Sequence, residues 1–247
     1  MLTRVIKKIF RILFLFNPKI EKKLKLVNLG TTYGGYHIYN NNFKNPVVIS
    51  CGLGEDASFD IEMINNFNAK IIVIDPTPRS IEYYGKIIKN LGKNRDKEYD
   101  ESGNLDIGSY DLRKVNKKNF VFLDKAIWSK NDEKIKLYYP SNPEHVSLSI
   151  NTQDLENKNF FLSETITFTK ICDIFNLETI DILKLDIEGA EIEVLNNILD
   201  NKNLPNQILV EFDIRRRVNY KNKKILIKIH KKIKKFYYLV NINQKGD

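Results

Sequence analysis

The chain contains little cysteine, histidine or tryptophan. Of its 247 residues, 2 are cysteine, 3 are histidine and 1 is tryptophan. Two cysteines cannot build the disulfide framework of a small secreted domain, and a reducing, cytoplasmic compartment is the default expectation. The histidines and cysteines also lack the close spacing that a zinc site requires. These scarcities exclude a disulfide-rich module and a zinc-finger protein.

Long apolar runs are also missing. The uninterrupted run at residues 12–16 is far shorter than the ~20 residues that a membrane-spanning helix needs. Residues 1–16 nevertheless place apolar side chains at helical spacing, with four basic residues between them, and no signal-peptide cleavage site follows. An amphipathic helix is therefore predicted within residues 1–25. Two interpretations stay open: the helix lies on an anionic membrane surface, or it packs on the domain.

Acidic residues are fewer than basic ones, 31 against 40, and the formal net charge is +9. Such an excess is found in proteins that bind nucleic acids or anionic membranes. Lysine is scattered along the whole chain together with abundant asparagine, so we interpret the excess mainly as general composition. No nucleic-acid recognition motif is visible, and nucleic-acid binding remains a minor alternative.

Short apolar runs that alternate with helical segments dominate the rest of the chain. Buried parallel strands are predicted at 46–52, 70–75, 120–123, 182–186 and 207–211. Helices are predicted over 57–67, 78–91, 171–176, 189–199 and 220–235. A hairpin is expected within 26–45, added edge strands at 135–139 and 165–169, and a last strand at 237–242. The pattern predicts one α/β domain over 26–247, with a mostly parallel, twisted sheet covered by helices on both faces.

A polar stretch at about 92–118 interrupts this alternation. It is either an excursion near the functional site or, more commonly, a surface loop. A second loop-like stretch, 140–164, contains His145. This histidine can face an acceptor as a base, although a solvated side chain is the commoner role of a loop histidine.

The first two strands end in residues that suit an adenosine-containing cofactor. Gly52 and Gly54 follow the first strand, where glycine lets the backbone turn sharply and approach a ligand. Asp75 ends the second strand, where a carboxylate can accept hydrogen bonds from both ribose hydroxyls of NAD or S-adenosylmethionine. Glu55 and Asp56 would repel the pyrophosphate of NAD, whereas a carboxylate favours the ammonium and sulfonium groups of S-adenosylmethionine. The sequence therefore favours the methyl donor.

A second acidic cluster follows the fourth predicted strand. Asp186 and Glu188 are two residues apart in a stretch expected to be extended, so both side chains are expected to point to one side. A carboxylate there can orient the charged end of the cofactor or take a proton from a hydroxyl nucleophile. Helix capping is the structural alternative, and we assign it to Glu191. The carboxyl edge of the sheet favours a functional role for Asp186 and Glu188.

Three segments together resemble one protein family. They read SCGLGEDASFDIEM, VIDPTPRSIEYY and ILKLDIEGAEIEVL, in that order, and they are similar to the FkbM family of methyltransferases. The similarity runs from about Val47 to Asp213. It implies a Rossmann-like class I methyltransferase fold, S-adenosylmethionine as the methyl donor, and O-methylation of a hydroxyl group, often on a sugar or another product.

The resemblance also implies roles for individual residues. Those that match the cofactor-binding segments are Gly52, Gly54, Glu55, Asp75, Pro76 and Thr77. Asp186 and Glu188 match the family's DIEG turn; together with His145 they are the catalytic candidates, and Asp186 also counts as a cofactor contact.

The chain departs from the family pattern at two points of the first loop. Ser50 stands where the broader class often has an acidic residue, and the usual third glycine is absent. These departures keep a non-catalytic module that only binds the methyl donor as an alternative, beside a nucleic-acid methyltransferase. The expected acceptor is a small molecule or surface glycan with a free hydroxyl group.

Overall fold

A computed structural model describes residues 16–100, 103–139, 150, 159–215 and 218–242. His145 and residues 1–15 of the predicted amphipathic helix lie outside these ranges. Residues 17–25 are not helical; they run beside the C-terminal end of the described chain, where the amide of Glu21 donates to the carbonyl of Leu239. No helix in the described ranges is long and apolar enough to cross a membrane.

The strands and helices follow one another in an α/β order. In chain order they are β1 (Leu26–Leu29), β2 (Tyr36–Tyr39), β3 (Val47–Cys51), α1 (Ser58–Phe67), β4 (Lys70–Ile74), α2 (Pro78–Lys89), β5 (Phe120–Leu123), β6 (Ala126–Ile127), β7 (Lys134–Tyr138), β8 (Phe160–Ile166), α3 (Phe168–Phe175), β9 (Ile182–Leu185), α4 (Glu191–Asn201), β10 (Gln207–Val210) and α5 (Tyr220–Ile233). The hairpin β1–β2 is antiparallel, and β6, β8 and β7 form a small separate sheet.

The central sheet has the strand order β10–β9–β3–β4–β5, and every neighbouring pair is parallel. The chain moves outward from β3 through β4 to β5, then returns to the other side of β3 to form β9 and β10. The strand order therefore reverses between β3 and β9. Ligands bind parallel sheets at the carboxyl ends of the strands beside such a reversal, so the predicted site residues belong at this edge.

Helices cover both faces of the sheet, as the sequence predicts. One hydrophobic core lies under α1, α2 and the hairpin, with Phe59, Ile64 and Ile87 buried. The other lies under α3, α4 and α5, with Phe168, Ile171, Leu195 and Ile229 buried. Each fully buried aliphatic or aromatic side chain stabilises the fold by about 1.5–3 kcal/mol, so these two layers hold the strand ends in fixed relative positions.

Two predicted strands differ from the structure: one is displaced along the chain and the other does not form. The strand predicted at 165–169 is β8, which begins at Phe160 and ends at Ile166. It ends there because the Thr167 hydroxyl accepts the amide of Lys170 and caps α3. The strand predicted at 237–242 does not form, because the backbone of Leu239 bonds to Glu21 instead of joining the sheet.

Part of the polar stretch 92–118 packs beside the site, as the excursion alternative predicts, and most of its other described residues are exposed on the surface. Leu105, Tyr110 and Leu112 are buried in the core under α1 and α2. Asn104 forms an isolated parallel bridge with Glu55, and the amide of Leu105 donates to the Glu55 carbonyl. The stretch therefore fixes the backbone just after the glycine turn that follows β3.

Candidate active site

The glycine turn after β3, residues 52–54, passes very close to the backbone of Asp186, which follows β9. Gly52 has φ +84°, and a β-carbon added there would lie 1.8 Å from the carbonyl oxygen of Asp186. Gly54 has φ +57°, but an added β-carbon would have no neighbour within 4 Å. Gly52 is therefore required by the crossing of two backbones. Gly54 instead borders open space at the carboxyl edge of the sheet.

Asp75 organises this turn through its own carboxylate. Its Oδ2 accepts the amides of Leu53 (2.8 Å) and Gly54 (3.2 Å) and the hydroxyl of Ser80 (2.8 Å). Its Oδ1 accepts the amide of Thr77 at 2.9 Å and lies 2.7 Å from the Thr77 hydroxyl oxygen. Asp75 lies at the predicted rim, but its lone pairs are in use. A ribose hydroxyl would have to replace the hydroxyl of Thr77 or Ser80.

The two carboxylates after the glycine turn are both engaged by the protein. Glu55 accepts two hydrogen bonds from the Arg79 guanidinium, with a closest nitrogen–oxygen distance of 2.6 Å. Asp56 accepts the amide of Ser58 at the start of α1 and the hydroxyl of Thr31 at 2.6 Å. Arg79 therefore weakens the attraction that Glu55 was expected to exert on a cofactor cation. Asp56 instead anchors the hairpin loop.

Asp186 follows β9 and receives a hydrogen bond from the hairpin. The Tyr36 hydroxyl donates to Asp186 Oδ2 at 3.1 Å. Burial, and then the charge of Asp186, raise the pKa of Tyr36 well above its ordinary value of 10.0. The phenol therefore stays protonated and acts as the donor, which fixes the orientation of the Asp186 carboxylate.

Glu188 does not lie in an extended stretch, so that part of the sequence argument is wrong. Its φ is +47°, and with Gly189 it forms the turn that leads from β9 into α4. The structure brings Asp186 and Glu188 to the same cavity, but through this turn and not through strand alternation. Glu191 Oε1 accepts the amide of Gly189 at 2.8 Å in the turn before α4, whereas the N-cap residue Ala190 makes no side-chain cap.

Lys184, like Tyr36 and Asp60, is a residue of the site that the sequence does not predict. It lies in the middle of β9 and is only 4% exposed. Its ammonium group donates to the carbonyl oxygen of Gly52 and lies 5.5 Å from the centroid of the Tyr36 ring. The signal that could have found it is the lysine inside the apolar run ILKL, because a buried cation requires partners.

The peptide unit that joins Gly52 to Leu53 is held at both polar ends. Its carbonyl oxygen accepts from Lys184, and its N–H group donates to Asp75. These two side chains come from β9 and from the residue after β4, the two neighbours of β3 in the sheet. The plane of this peptide, and with it the course of the glycine turn, is therefore set by both neighbouring strands.

Asp60 of α1 is a buried acid whose charge interacts with that of Lys184. Burial raises the pKa of its carboxyl, while the Lys184 ammonium and the Ser50 hydroxyl lower it in part. Neither carboxylate oxygen makes a hydrogen bond of ordinary geometry with a described residue. Ser50 and Lys184 lie opposite each other on the neighbouring strands β3 and β9. Together with Asp60 they form a polar cluster inside the core.

These elements enclose a cavity of about 970 Å³. Its lining includes the predicted cofactor residues Gly52, Gly54, Glu55, Asp75, Pro76 and Thr77, and the predicted catalytic residues Asp186 and Glu188. The hairpin contributes residues 32–37, and the cavity continues along β10 to residues 236–242. One cavity therefore runs from the glycine turn at the carboxyl edge of the sheet to the segment after α5.

A parallel sheet that reverses its order at a glycine turn, with an acid after each neighbouring strand, fits several enzyme families. The family model of the FkbM methyltransferase domain matches residues 39–236, which is most of the chain. The chain belongs to the FkbM methyltransferase family. No curated protein and no solved structure gives a significant match to the chain.

The family match makes this FkbM protein a methyltransferase enzyme. The matched range begins at the end of β2 and ends just after α5, so it contains the glycine turn, Asp75, Lys184 and Asp186. Tyr36 lies just before it. The residue that holds the Asp186 carboxylate therefore comes from a part of this methyltransferase that the family model does not cover.

Proposed function

We propose that this FkbM methyltransferase transfers a methyl group from S-adenosylmethionine to a hydroxyl oxygen of a small molecule or glycan. The observation that carries the proposal is the position of Asp186. Its carboxylate lines the cavity beside the glycine turn and is held by the Tyr36 hydroxyl. A fixed carboxylate next to a cofactor site suits removal of a hydroxyl proton.

The residues around the glycine turn fit an adenosine-containing cofactor. The open space beside Gly54 gives room for a ligand at close range to the backbone. Asp75 offers the carboxylate for the ribose, provided that a ribose hydroxyl replaces the hydroxyl of Thr77 or Ser80. When bound, S-adenosylmethionine supplies a methyl group on a positively charged sulfur.

Asp186 has the role of base towards the acceptor. In this proposal one carboxylate oxygen takes the proton of the acceptor hydroxyl while Oδ2 keeps its hydrogen bond from Tyr36. Fixing the carboxylate in advance avoids the cost of orienting it during the reaction. Glu188 lines the same cavity and contributes to binding the polar acceptor or the cofactor. His145 lies outside the described residues and stays a candidate base.

Calorimetric titration tests the cofactor. We expect the purified protein to bind S-adenosylmethionine and to show no heat of binding with NAD, because the chain belongs to a methyltransferase family. Saturable binding of NAD, with none of S-adenosylmethionine, would contradict the proposal. Turnover against a panel of nucleotide sugars and glycans then identifies the acceptor.

Asp186→Asn tests the base. We expect at least a tenfold loss of kcat with the affinity for S-adenosylmethionine retained, because asparagine keeps the shape and loses the proton acceptor. Tyr36→Phe is the matched variant: it keeps the ring over Lys184 and removes only the hydrogen bond to Asp186, so a smaller loss of kcat is expected. Unchanged turnover in Asp186→Asn would remove this residue from the mechanism.

A further inference from the structure

The positive charge of the chain is concentrated in its two terminal segments. Residues 1–25 and 220–247 together carry 17 lysines and arginines against 2 acidic residues. Residues 26–219 carry 23 basic and 29 acidic side chains. The scattered lysine in the middle of the chain is balanced by acid, and the net charge of +9 comes entirely from the two ends. General composition therefore does not account for the excess.

The fold brings the described parts of the two segments, residues 16–25 and 220–242, together on one surface. The amide of Glu21 donates to the Leu239 carbonyl at 2.8 Å, and the amide of Leu239 donates to the Glu21 carboxylate at 3.1 Å. Lys234 pairs with the same carboxylate. The Lys22 ammonium lies 5.8 Å from the centroid of the Tyr238 ring. We call the surface formed by residues 19–25 and 231–238 the basic face.

The basic face has almost no acid to balance it. Within 16–25 and 218–242, the described parts of the two segments, there are 12 lysines, and the one acidic residue is Glu21. Its carboxylate is paired with Lys234, so it offers little negative charge to a partner. Lys19, Lys22, Lys23 and Lys235 are exposed. A surface of this kind attracts anions over a distance of about the Debye length, ~8 Å at physiological ionic strength.

Exposed apolar side chains stand among these lysines. Tyr238 is 71% exposed, Ile20 is 48% exposed and Phe236 is 43% exposed. Single exposed apolar residues are common, but here three occur within two short segments that bond to each other. Aromatic and aliphatic side chains ringed by lysine are typical of protein surfaces that enter the headgroup layer of a bilayer.

We propose that the basic face docks the protein on an anionic membrane surface. Ile20, Phe236 and Tyr238 enter the boundary between headgroups and acyl chains, while the surrounding ammonium groups lie beside the lipid phosphates and carboxylates. The aliphatic stem of lysine lets its charge reach the headgroup level while its carbons lie in the apolar layer.

A bilayer fits the basic face better than a nucleic acid does. All 12 lysine and arginine residues in the described parts of the two segments are lysine, which lacks the planar fork with which arginine binds phosphates and base edges in a bidentate manner. Ile20 has no flat surface on which a base could stack. An apolar side chain gains free energy when it leaves water for lipid, and nucleic-acid phosphates offer it no such gain.

Co-sedimentation with vesicles tests the docking. The full chain is mixed with vesicles of phosphatidylcholine alone and with vesicles that also contain 30% phosphatidylserine. We expect binding only to the second kind, and a decrease as salt is added. The variant Lys19→Gln, Lys22→Gln, Lys23→Gln, Lys235→Gln should lose at least tenfold in affinity, since each lysine near an anionic surface adds to the attraction. Its matched control changes the exposed lysines 44, 89, 117 and 118 to glutamine and should bind as before.

A second variant tests the apolar contacts. Ile20→Ser, Phe236→Ser, Tyr238→Ser keeps all the lysines and changes only exposed side chains, so the fold should persist. At least a fivefold loss of vesicle binding is expected. Single-stranded RNA serves as the alternative ligand, measured by fluorescence anisotropy.

Several outcomes would overturn the docking proposal. They are the absence of binding to both kinds of vesicle, equal binding to both, an equal loss in the matched lysine control, and vesicle binding by the triple serine variant that equals that of the unchanged chain. RNA binding that is tighter than vesicle binding, and unchanged in the triple serine variant, would assign the face to a nucleic acid instead.

Discussion

A buried lysine loses its hydration, and Lys184 offsets this cost with three neighbours. These are the carbonyl of Gly52, the face of the Tyr36 ring and the negative charge of Asp60. Each interacts favourably with the ammonium group of a side chain that is only 4% exposed. Because Lys184 also fixes the Gly52 carbonyl, a substitution of Lys184 should affect the proposed cofactor site.

Lys184→Met separates this role from packing, since methionine has a stem of similar length and no charge. We expect the affinity for S-adenosylmethionine to fall at least tenfold, because the Gly52–Leu53 peptide is then held only by Asp75. The free energy of unfolding should also decrease, because Asp60 remains buried without its cation. Calorimetry and urea unfolding measure the two effects.

The double variant Lys184→Met, Asp60→Asn is the control. Asparagine removes the buried carboxylate, so the double variant should regain part of the lost stability while its affinity for S-adenosylmethionine stays low. If the stability and the affinity for S-adenosylmethionine both recover, Lys184 acts through stability alone. Its proposed role in holding the Gly52–Leu53 peptide would then be wrong.

Gly52→Ala and Gly54→Ala form a matched pair. Alanine at 52 brings a β-carbon within 1.8 Å of the Asp186 carbonyl, so we expect a loss of about 3 kcal/mol or more in unfolding free energy. Alanine at 54 meets no neighbour, and its positive φ should cost only about 1–2 kcal/mol. Its methyl group faces the open space, so it should weaken cofactor binding instead. Equal destabilisation of the two variants in urea would contradict this reading.

At the scale of elements, the first turn of α4 carries a buried acid. Glu191 is 1% exposed, and burial, together with the charges of Asp213 and Asp186, raises its pKa to about 8 from an ordinary value of 4.5. The folded protein therefore binds this proton more tightly than the unfolded chain does. Its contribution to stability is complete below about pH 4.5 and is lost as the pH rises towards 8.

Glu191→Gln should remove this pH dependence. Glutamine keeps an oxygen for the Gly189 amide and resembles the protonated acid. We expect the variant and the unchanged chain to have similar melting temperatures near pH 5, and the variant to be more stable by about 1–3 kcal/mol at pH 8. Parallel curves of melting temperature against pH would show that Glu191 does not titrate in this range.

Sequence reasoning located the central sheet well because its strands are continuous apolar runs bounded by polar residues. β3, β4, β9 and β10 lie within one or two residues of their predicted bounds. The C-terminal segment 237–242 has an equally apolar composition but finds its backbone partner in Glu21, more than 200 residues away. Amino-acid composition does not show which distant part of the chain such a segment will hydrogen-bond to.

The sequence predicts where many of the site residues lie, but it predicts only some of the contacts that they make. Glycines and acids at the ends of strands could be placed at one edge, because parallel strands end together there. The pairing of Glu55 with Arg79, and the full use of the Asp75 oxygens, depend on side-chain geometry that spacing does not encode. Tyr36 belongs to a hairpin that precedes the sheet, and nothing in its local pattern links it to Asp186.

At the scale of the whole molecule, one cavity joins parts of the chain that are far apart in sequence. The hairpin, the glycine turn, β9 and the segment after α5 all contribute to its lining. A ligand that touches several of these parts stabilises the folded state as a whole, since the unfolded chain does not bind it.

S-adenosylmethionine should therefore raise the melting temperature. At a concentration 100 times its dissociation constant the expected stabilisation is about 2.7 kcal/mol, which corresponds to roughly 5–10 °C for a domain of this size. NAD at the same concentration should cause no shift, and Asp75→Asn should remove most of the shift. Differential scanning fluorimetry measures all three, and an equal shift with NAD would contradict the cofactor assignment.

The peptide plane between Gly52 and Leu53 is bonded on one side to a cation and on the other to a carboxylate. Its two nuclei, the carbonyl ¹³C of residue 52 and the amide ¹⁵N of residue 53, are thus natural reporters in solution spectra. A ligand that disturbs Lys184 would move the first resonance, and one that disturbs Asp75 would move the second. The sizes of the two shifts at saturation would show which of the two contacts, that of Lys184 or that of Asp75, the ligand changes more.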